Sequence, residues 1–427
     1  MTERRRVVVT GLGMATPLGL SVAESWQKAL RGESGIRTLS YPEASSSPVQ
    51  AVGEIRGTDW DRIRAAFPEA ASQEGEKRTL CALWAAHAAV DDAALANSRT
   101  AKSRRGVMLA AGPPINRPED INPWIDAHGG FDYRRFGREF EAVHRESIMR
   151  NNSHRPSALV AERLGLQGPN GTITTACASA TQAIGLAFRA VQRGEADVML
   201  GGGADSMINP IGLVFFVLLG AADTSRADPA GACKPFDRKR AGLVMGEGAG
   251  VVVLEELSQA RERAAPIYAE VVGYGSSMDA YQVTAPEPRG MGASRSMEAA
   301  LVDAALRPEA IDYVNAHGTG TKLNDLAETR AIRRTFGEHA DRLAVNSSKP
   351  LTGHLLAAAG APEFILTTLS VRDDLVHPTL NLKNPDPKCD LDYVTEGKRS
   401  MPVRVALSNS FGFGGQNATI LVKKYQG

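Results

Sequence analysis

The chain has no hydrophobic run long enough to cross a bilayer as a helix. Its longest apolar stretch, residues 211–222 (IGLVFFVLLGAA), falls well short of the roughly 20 residues a spanning helix needs. It also lacks an excess of charge of either sign: 49 Lys and Arg stand against 48 Asp and Glu, a formal net charge of +1. Nucleic acid and anionic membrane surfaces demand a basic excess, so neither is expected as a partner. Cysteine is scarce, and Cys81, Cys177, Cys233 and Cys389 stand far apart with no CxxC pair, which argues against a disulfide framework or a zinc ribbon. HExxH and GxxxxGK[ST] are absent, and with them the signatures of zinc-protease and phosphate-loop chemistry. Ahead of residues 6–10 nothing has the apolar stretch and cleavage site of a secretory signal. The expectation is a reduced, cytoplasmic protein with no structural metal.

What the sequence does contain is an alternation. Strand-like runs at 6–10, 171–175, 197–200, 251–254, 267–272, 313–316, 343–347, 405–408 and 418–422 are separated by helix-like segments, the pattern of a layered α/β fold. Many of these runs are apolar throughout, which suits strands covered on both faces. Ser21 and Glu24 form a capping box for a helix that closes before Gly32. Asp325 and Glu328 read the same way, as the start of a helix ending before Gly337. Gly11-Leu12-Gly13 lacks the third glycine of a dinucleotide fingerprint, Thr16 standing in its place. It reads as a tight strand-to-helix connection.

A weak internal echo accompanies the alternation. A Thr-rich strand, a turn and an Ala/Gly-rich helix at 172–191 return in the same order at 344–369, and the Gly-rich stretches 198–206 and 405–417 follow them. Two similar halves, 1–257 and 258–427, sharing one continuous core would produce this. Residues 117–152, rich in charge and aromatics, look like an excursion from that core.

Three side chains stand out for chemistry. Cys177 lies where the Thr-rich strand meets a helix, and the positive end of a helix dipole is expected to favour a thiolate there. His317, in NAHGTGT, and His354, in SKPLTGH, each end a buried strand, the place where α/β proteins concentrate reactive groups. A lone residue of this kind is compatible with core packing; three together are not required by it.

The segments TACASA around Cys177, NAHGTGTKLND around His317, SSKPLTGHLLAAAGAPE around His354, GEGAG at 246–250 and NSFGFGGQN at 409–417 resemble the elongating β-ketoacyl-acyl-carrier-protein synthases of the thiolase superfamily. The resemblance implies a thiolase-like α/β fold, with two pseudo-symmetric βαβ halves in a five-layer αβαβα arrangement. It implies a decarboxylative condensation of an acyl chain on Cys177 with a malonyl group. His317 and His354 would support decarboxylation, Lys349 and Glu363 would form a charged pair behind them, and Phe413 would be gate and oxyanion donor. Thr319 and Thr321 match pantetheine contacts, Phe411, Phe215 and Phe216 the acyl site, and Lys77, Arg78 and Arg226 carrier docking. No cofactor is implied, the substrates riding on the phosphopantetheine of acyl carrier protein. A homodimer, or a heterodimer with a chain-length-factor-like paralogue, is expected.

Two rival readings are a non-catalytic partner of the chain-length-factor type and a non-decarboxylating thiolase. Cys177, His317 and His354 together speak against the first. The second histidine and the lack of a cysteine near Phe413 speak against the other. Departures from the family pattern at Ala110–Pro114, Val214, Phe215, Pro362 and Gln416 imply a bulkier, stiffer pocket and an acyl group other than a flexible saturated chain.

Overall fold

In the computed structural model, which describes residues 4–41, 46–74, 76–113, 118–143, 152–225 and 228–427, the alternation becomes two copies of one strand arrangement. The first copy holds β1 (Val7–Ala15), β2 (Arg105–Ala111), β3 (Asn170–Ile173), β4 (Val198–Asp205) and β5 (Gly248–Glu256). The second holds β6 (Ala269–Met278), β7 (Tyr313–Asn315), β8 (Ala344–Asn346), the edge strand β9 (Asp392–Tyr393), β10 (Val405–Gly412) and β11 (Gln416–Lys423). All join one 11-stranded sheet in the order β9-β8-β7-β10-β11-β6-β1-β5-β4-β2-β3. With the edge strand β9 left out of the count, each copy runs, outward from the β1–β6 junction, first, fifth, fourth, second, third. In both, the first, fifth and fourth strands are antiparallel and the fourth, second and third are parallel. The sequence echo is therefore an echo of topology.

The helices that position the site are α1 (Val22–Arg31), α2 (Lys77–Asp92), α3 (Arg155–Leu164), α4 (Ser179–Gln192), α5 (Pro210–Leu218), α6 (Met291–Ala304), α7 (Lys322–Phe336) and α8 (Gly360–Asp373). Helices α2 and α3 cover the outer face of the first copy, α6 and α7 that of the second, and α4 and α8 lie together between the two. The result is the αβαβα layering. The central pair is largely buried because sheet lies on both faces: every residue of α8 from Gly360 to Val371 is buried. Small residues make the fit possible. A Cβ on Gly185 of α4 would come within 2.3 Å of the Tyr274 ring.

Ser21 caps α1 by accepting the Glu24 N–H at 3.2 Å, and Gly32 closes it at φ 69°. Two expectations need correction. Gly11 and Gly13 lie within β1, not in a turn. They are small because α2 crosses there, and a Cβ on them would stand 2.2 Å from Ala89 O and 1.9 Å from Ala85 O. Helix α7 begins at Lys322, ahead of Asp325, so Asp325 and Glu328 are not its capping pair but buried groups inside it. Of the 117–152 excursion, the described part is built around Trp124 and Phe136, edge to face at 5.1 Å. Residues 117 and 144–151 lie outside the described residues.

Candidate active site

The chain leaves β3 and turns at Ala176, which takes φ 49°. Ser179 holds the turn by accepting from Thr175 N at 2.7 Å and donating to Ala176 O at 2.6 Å. Cys177 is thereby set just ahead of α4 and is 7% exposed. His317 follows β7 in a turn that two α7 carboxylates hold from behind. Glu328 accepts the backbone N–H groups of His317 and Gly318, both at 2.8 Å, and Asp325 those of Phe236 and Gly320 at 2.9 and 3.2 Å. These supports were missed when the two acids were read as caps. The signal was their three-residue spacing directly after the His-Gly-Thr-Gly-Thr turn, which puts both on one helix face toward it.

His354 is pinned through its backbone, its N–H donating to Val244 O at 2.7 Å and its carbonyl accepting from Gly246 at 2.8 Å. Its Nδ1 accepts the Leu356 N–H at 3.2 Å, so a neutral ring carries its proton on Nε2. That Nε2 is buried without a partner among the described residues. The Lys349 ammonium spends its donors on His317 Nδ1 at 3.3 Å, Glu363 Oε1 at 2.6 Å and the His317 carbonyl. His317, too, therefore presents Nε2–H. Lys349 and Glu363 are buried, which makes theirs an interior ion pair whose attraction must offset the cost of burying both charges, with Glu363 Oε2 unpartnered among the described residues.

The two imidazoles stand edge to face with centroids 5.2 Å apart. The Cys177 sulfur and one nitrogen from each ring lie within 4.8 Å of one another. All three line a cavity of about 490 Å³ together with Thr319, Thr321, Phe411 and Phe413. Burial, with Lys349 as the next cause, holds both imidazoles well below the usual histidine range, so both are neutral donors. At Cys177, burial outweighs the Lys349 charge and the Phe413 N–H and pushes the thiol up to about 12. The expected thiolate is thus corrected to a thiol. Cys, His and His form a donor set for a soft metal ion, but the ammonium beside His317 opposes a cation there.

Other candidates fall elsewhere. Phe216 is buried and stacks on Phe413 at 6.5 Å, whereas Phe215 and Val214 are each 50% exposed on the outer side of α5. Their bulk does not narrow the described cavity, a correction forced by the helix's rotation. Pro362 packs against Gly250 of β5 and not on the cavity wall. The docking assignment also changes. Lys77 is tied to Glu247 at 2.7 Å and Ile55 O at 2.9 Å, and Arg78 is 2% exposed, bonded to Glu76 and to Gly112 O. Neither is a free surface cation. Arg226 lies outside the described residues.

A thiol and two imidazole donors at one cavity between doubled α/β halves mark a thiolase-like enzyme of the acyltransferase type. The chain belongs to the beta-ketoacyl synthase family: the family's N-terminal domain matches residues 4–260 and its C-terminal domain residues 268–383. It is 41% identical to a 3-oxoacyl-[acyl-carrier-protein] synthase 2 of Synechocystis sp. over 99% of both chains, and 39% identical to one of Staphylococcus aureus over 100% of both. Among solved structures it resembles a type II polyketide ketosynthase bound to the hexaketide in complex with its acyl-carrier protein (TM-score 0.88, 32% identity, 99% of this chain and 100% of that one). It also resembles the ishigamide ketosynthase/chain length factor (TM-score 0.84, 32% identity, 99% and 100%).

Proposed function

We propose that the protein condenses an acyl chain with malonyl-acyl carrier protein, releasing carbon dioxide and a β-ketoacyl carrier. The observation that carries this reading is the shared cavity in which one thiol faces two neutral imidazoles, both with Nε2–H available. Cys177 Sγ attacks the incoming thioester, the carrier thiol leaves with the proton, and the chain remains on the enzyme. The backbone N–H groups of Cys177 and Phe413 receive the oxyanion. When malonyl enters, its carboxylate carbon leaves as carbon dioxide and the bond pair moves onto the thioester oxygen as an enolate. His317 and His354 donate to that oxygen, each such donor being worth roughly 3 kcal/mol. The enolate carbon then attacks the Cys177 thioester and Sγ departs. Lys349 and Glu363 keep the His317 tautomer, Thr319 and Thr321 meet the pantetheine arm, and Phe413, Phe411 and Phe216 border the acyl chain.

Intact-mass measurement after exposure to acyl thioesters tests this. A mass gain of one acyl group on Cys177, lost in Cys177→Ala, is expected; acylation that survives the substitution refutes it. His354→Ala should spare acylation and depress decarboxylation.

A partner chain belongs to the same reading. Ile211, Val214, Phe215 and Leu218 form one apolar stripe along α5, exposed by 43, 50, 50 and 81%. A second ketosynthase-type chain, a copy or a chain-length-factor-like paralogue, covers it. Polyketide-like or polyene acyl groups fit the stacked Phe216–Phe413 wall better than flexible saturated chains; equal turnover of C8–C14 saturated and unsaturated thioesters counts against this. We assign the halves to 1–257 and 258–427 and the protein to the cytoplasm, in keeping with described helices none of which is long and apolar enough to cross a membrane.

A further inference from the structure

Behind the His354 turn lies a carboxylate that this chemistry does not use. Asp205 closes β4, is 1% exposed, and divides its oxygens between two backbone amides: Oδ1 accepts from Ser206 at 2.9 Å and Oδ2 from Ala357 at 3.0 Å. Ala357 belongs to the short 3-10 turn Leu356–Ala358 that follows His354. Leu356, its neighbour, takes φ 51°, a left-handed conformation that an L-residue keeps only when its surroundings enforce it. The amide of Leu356 is the one that fixes His354 Nδ1, at 3.2 Å. One turn thus joins the group that sets the imidazole tautomer to the group that Asp205 grips.

The surroundings leave room for the carboxylate and partly offset the cost of burying its charge. A Cβ on Gly112, past the end of β2, would stand 2.6 Å from Asp205 Oδ2, so only glycine leaves the acid its room. Arg78, which donates to the Gly112 carbonyl at 2.9 Å, offsets the burial that raises Asp205 to about 6. At neutral pH the group is ionised and accepts both amides.

We propose that Asp205 is a positioning residue for His354, its grip on the Ala357 N–H holding the strained Leu356 amide against Nδ1 and so keeping Nε2–H directed into the cavity. The proposal rests on His354 serving as a donor to the malonyl thioester oxygen.

The test compares Asp205→Asn, Asp205→Ala and His354→Ala in the full chain. Carbon dioxide release is followed from malonyl-pantetheine, and acylation of Cys177 from hexanoyl-pantetheine by intact mass. The imidazole 15N shifts of His354 are read in parallel. Asparagine keeps the size of Asp205 but turns an NH2 group toward one of the two amides, so it decides the matter where alanine fails to fold. In Asp205→Asn, kcat for decarboxylation should fall about tenfold to hundredfold, with KM and Cys177 acylation unchanged and the His354 15N shifts moved away from a pure Nε2–H tautomer. Unchanged decarboxylation and shifts overturn the proposal, as does an equal loss of both half-reactions, which marks a merely structural acid. Full decarboxylation in His354→Ala sinks the reading of His354 instead, and the 15N shifts then still judge Asp205.

Discussion

At the scale of single residues, reactivity here is a matter of protonation. A thiol pushed up to about 12 by burial holds a thiolate fraction too small to level off in the neutral range. Alkylation of resting Cys177 by iodoacetamide should therefore rise about tenfold per pH unit from pH 7 to 9. Peptide mass spectrometry would follow it, and a plateau near pH 8 would reveal a low-pKa thiolate. Glu328 offers a second check. Glu328→Gln leaves one of the His317 and Gly318 amides without an acceptor, which costs about 1–3 kcal/mol. A lowered melting temperature and slower decarboxylation, with Cys177 acylation kept, are expected. The residue types of Cys177, His317 and His354 and the strand-end positions of the first two were legible in the sequence because they are local, whereas His354 follows the helical turn Lys349–Thr352 and not a strand end. The charge states of all three were not legible, because burial is set by chain far away. Lys77 looked like a surface cation for the same reason: its partner Glu247 is remote in sequence and near in space.

At the scale of elements, the strand and helix alternation and the α1 caps were legible, while rotation and contact were not. Gly13 shows why. Its neighbours Leu12 and Met14 read as strand or turn equally well, and only the crossing of α2 explains the missing side chain. The buried α4 makes a sharper case. Gly185→Leu would drive a branched side chain into the Tyr274 ring, already 2.3 Å from a bare Cβ, and overpacking of this kind costs about 1–3 kcal/mol or more. A drop in melting temperature of several degrees is the expected result, and an unchanged melt would mean the central layer yields more than its packing suggests. On α5, Val214 and Leu218 sit on the exposed stripe while Phe216 faces inward. Val214→Asp with Leu218→Asp should reduce the assembly seen by light scattering without altering the helix; an unchanged mass would place the partner surface elsewhere.

At the scale of the whole molecule, the two topological copies differ in what they contribute yet share one interior. The first supplies Cys177; the second supplies both histidines, Lys349 and Glu363. A single apolar cluster runs through both, joining Val7, Ile184 and Val252 to Tyr313, Phe364 and Ile420. Each copy packs an outer cluster of its own, but the central one cannot be divided, since α4 and α8 each touch strands of both. Unfolding should consequently be one cooperative transition, even in a chain of 427 residues, where separate domains are common. The sequence provides two independent reporters. All 4 tryptophans lie in the first half of the sequence; with Trp26, which bonds Asp373 of α8, replaced by Phe, the fluorescence of Trp60, Trp84 and Trp124 follows that half. Cys389, 3% exposed in the second copy's outer cluster, becomes open to thiol reagents when that half loosens. In a guanidinium titration the two midpoints should coincide. A tryptophan midpoint separated from that of Cys389 would mean that the halves unfold independently, and that the interior between them is an interface, not a core.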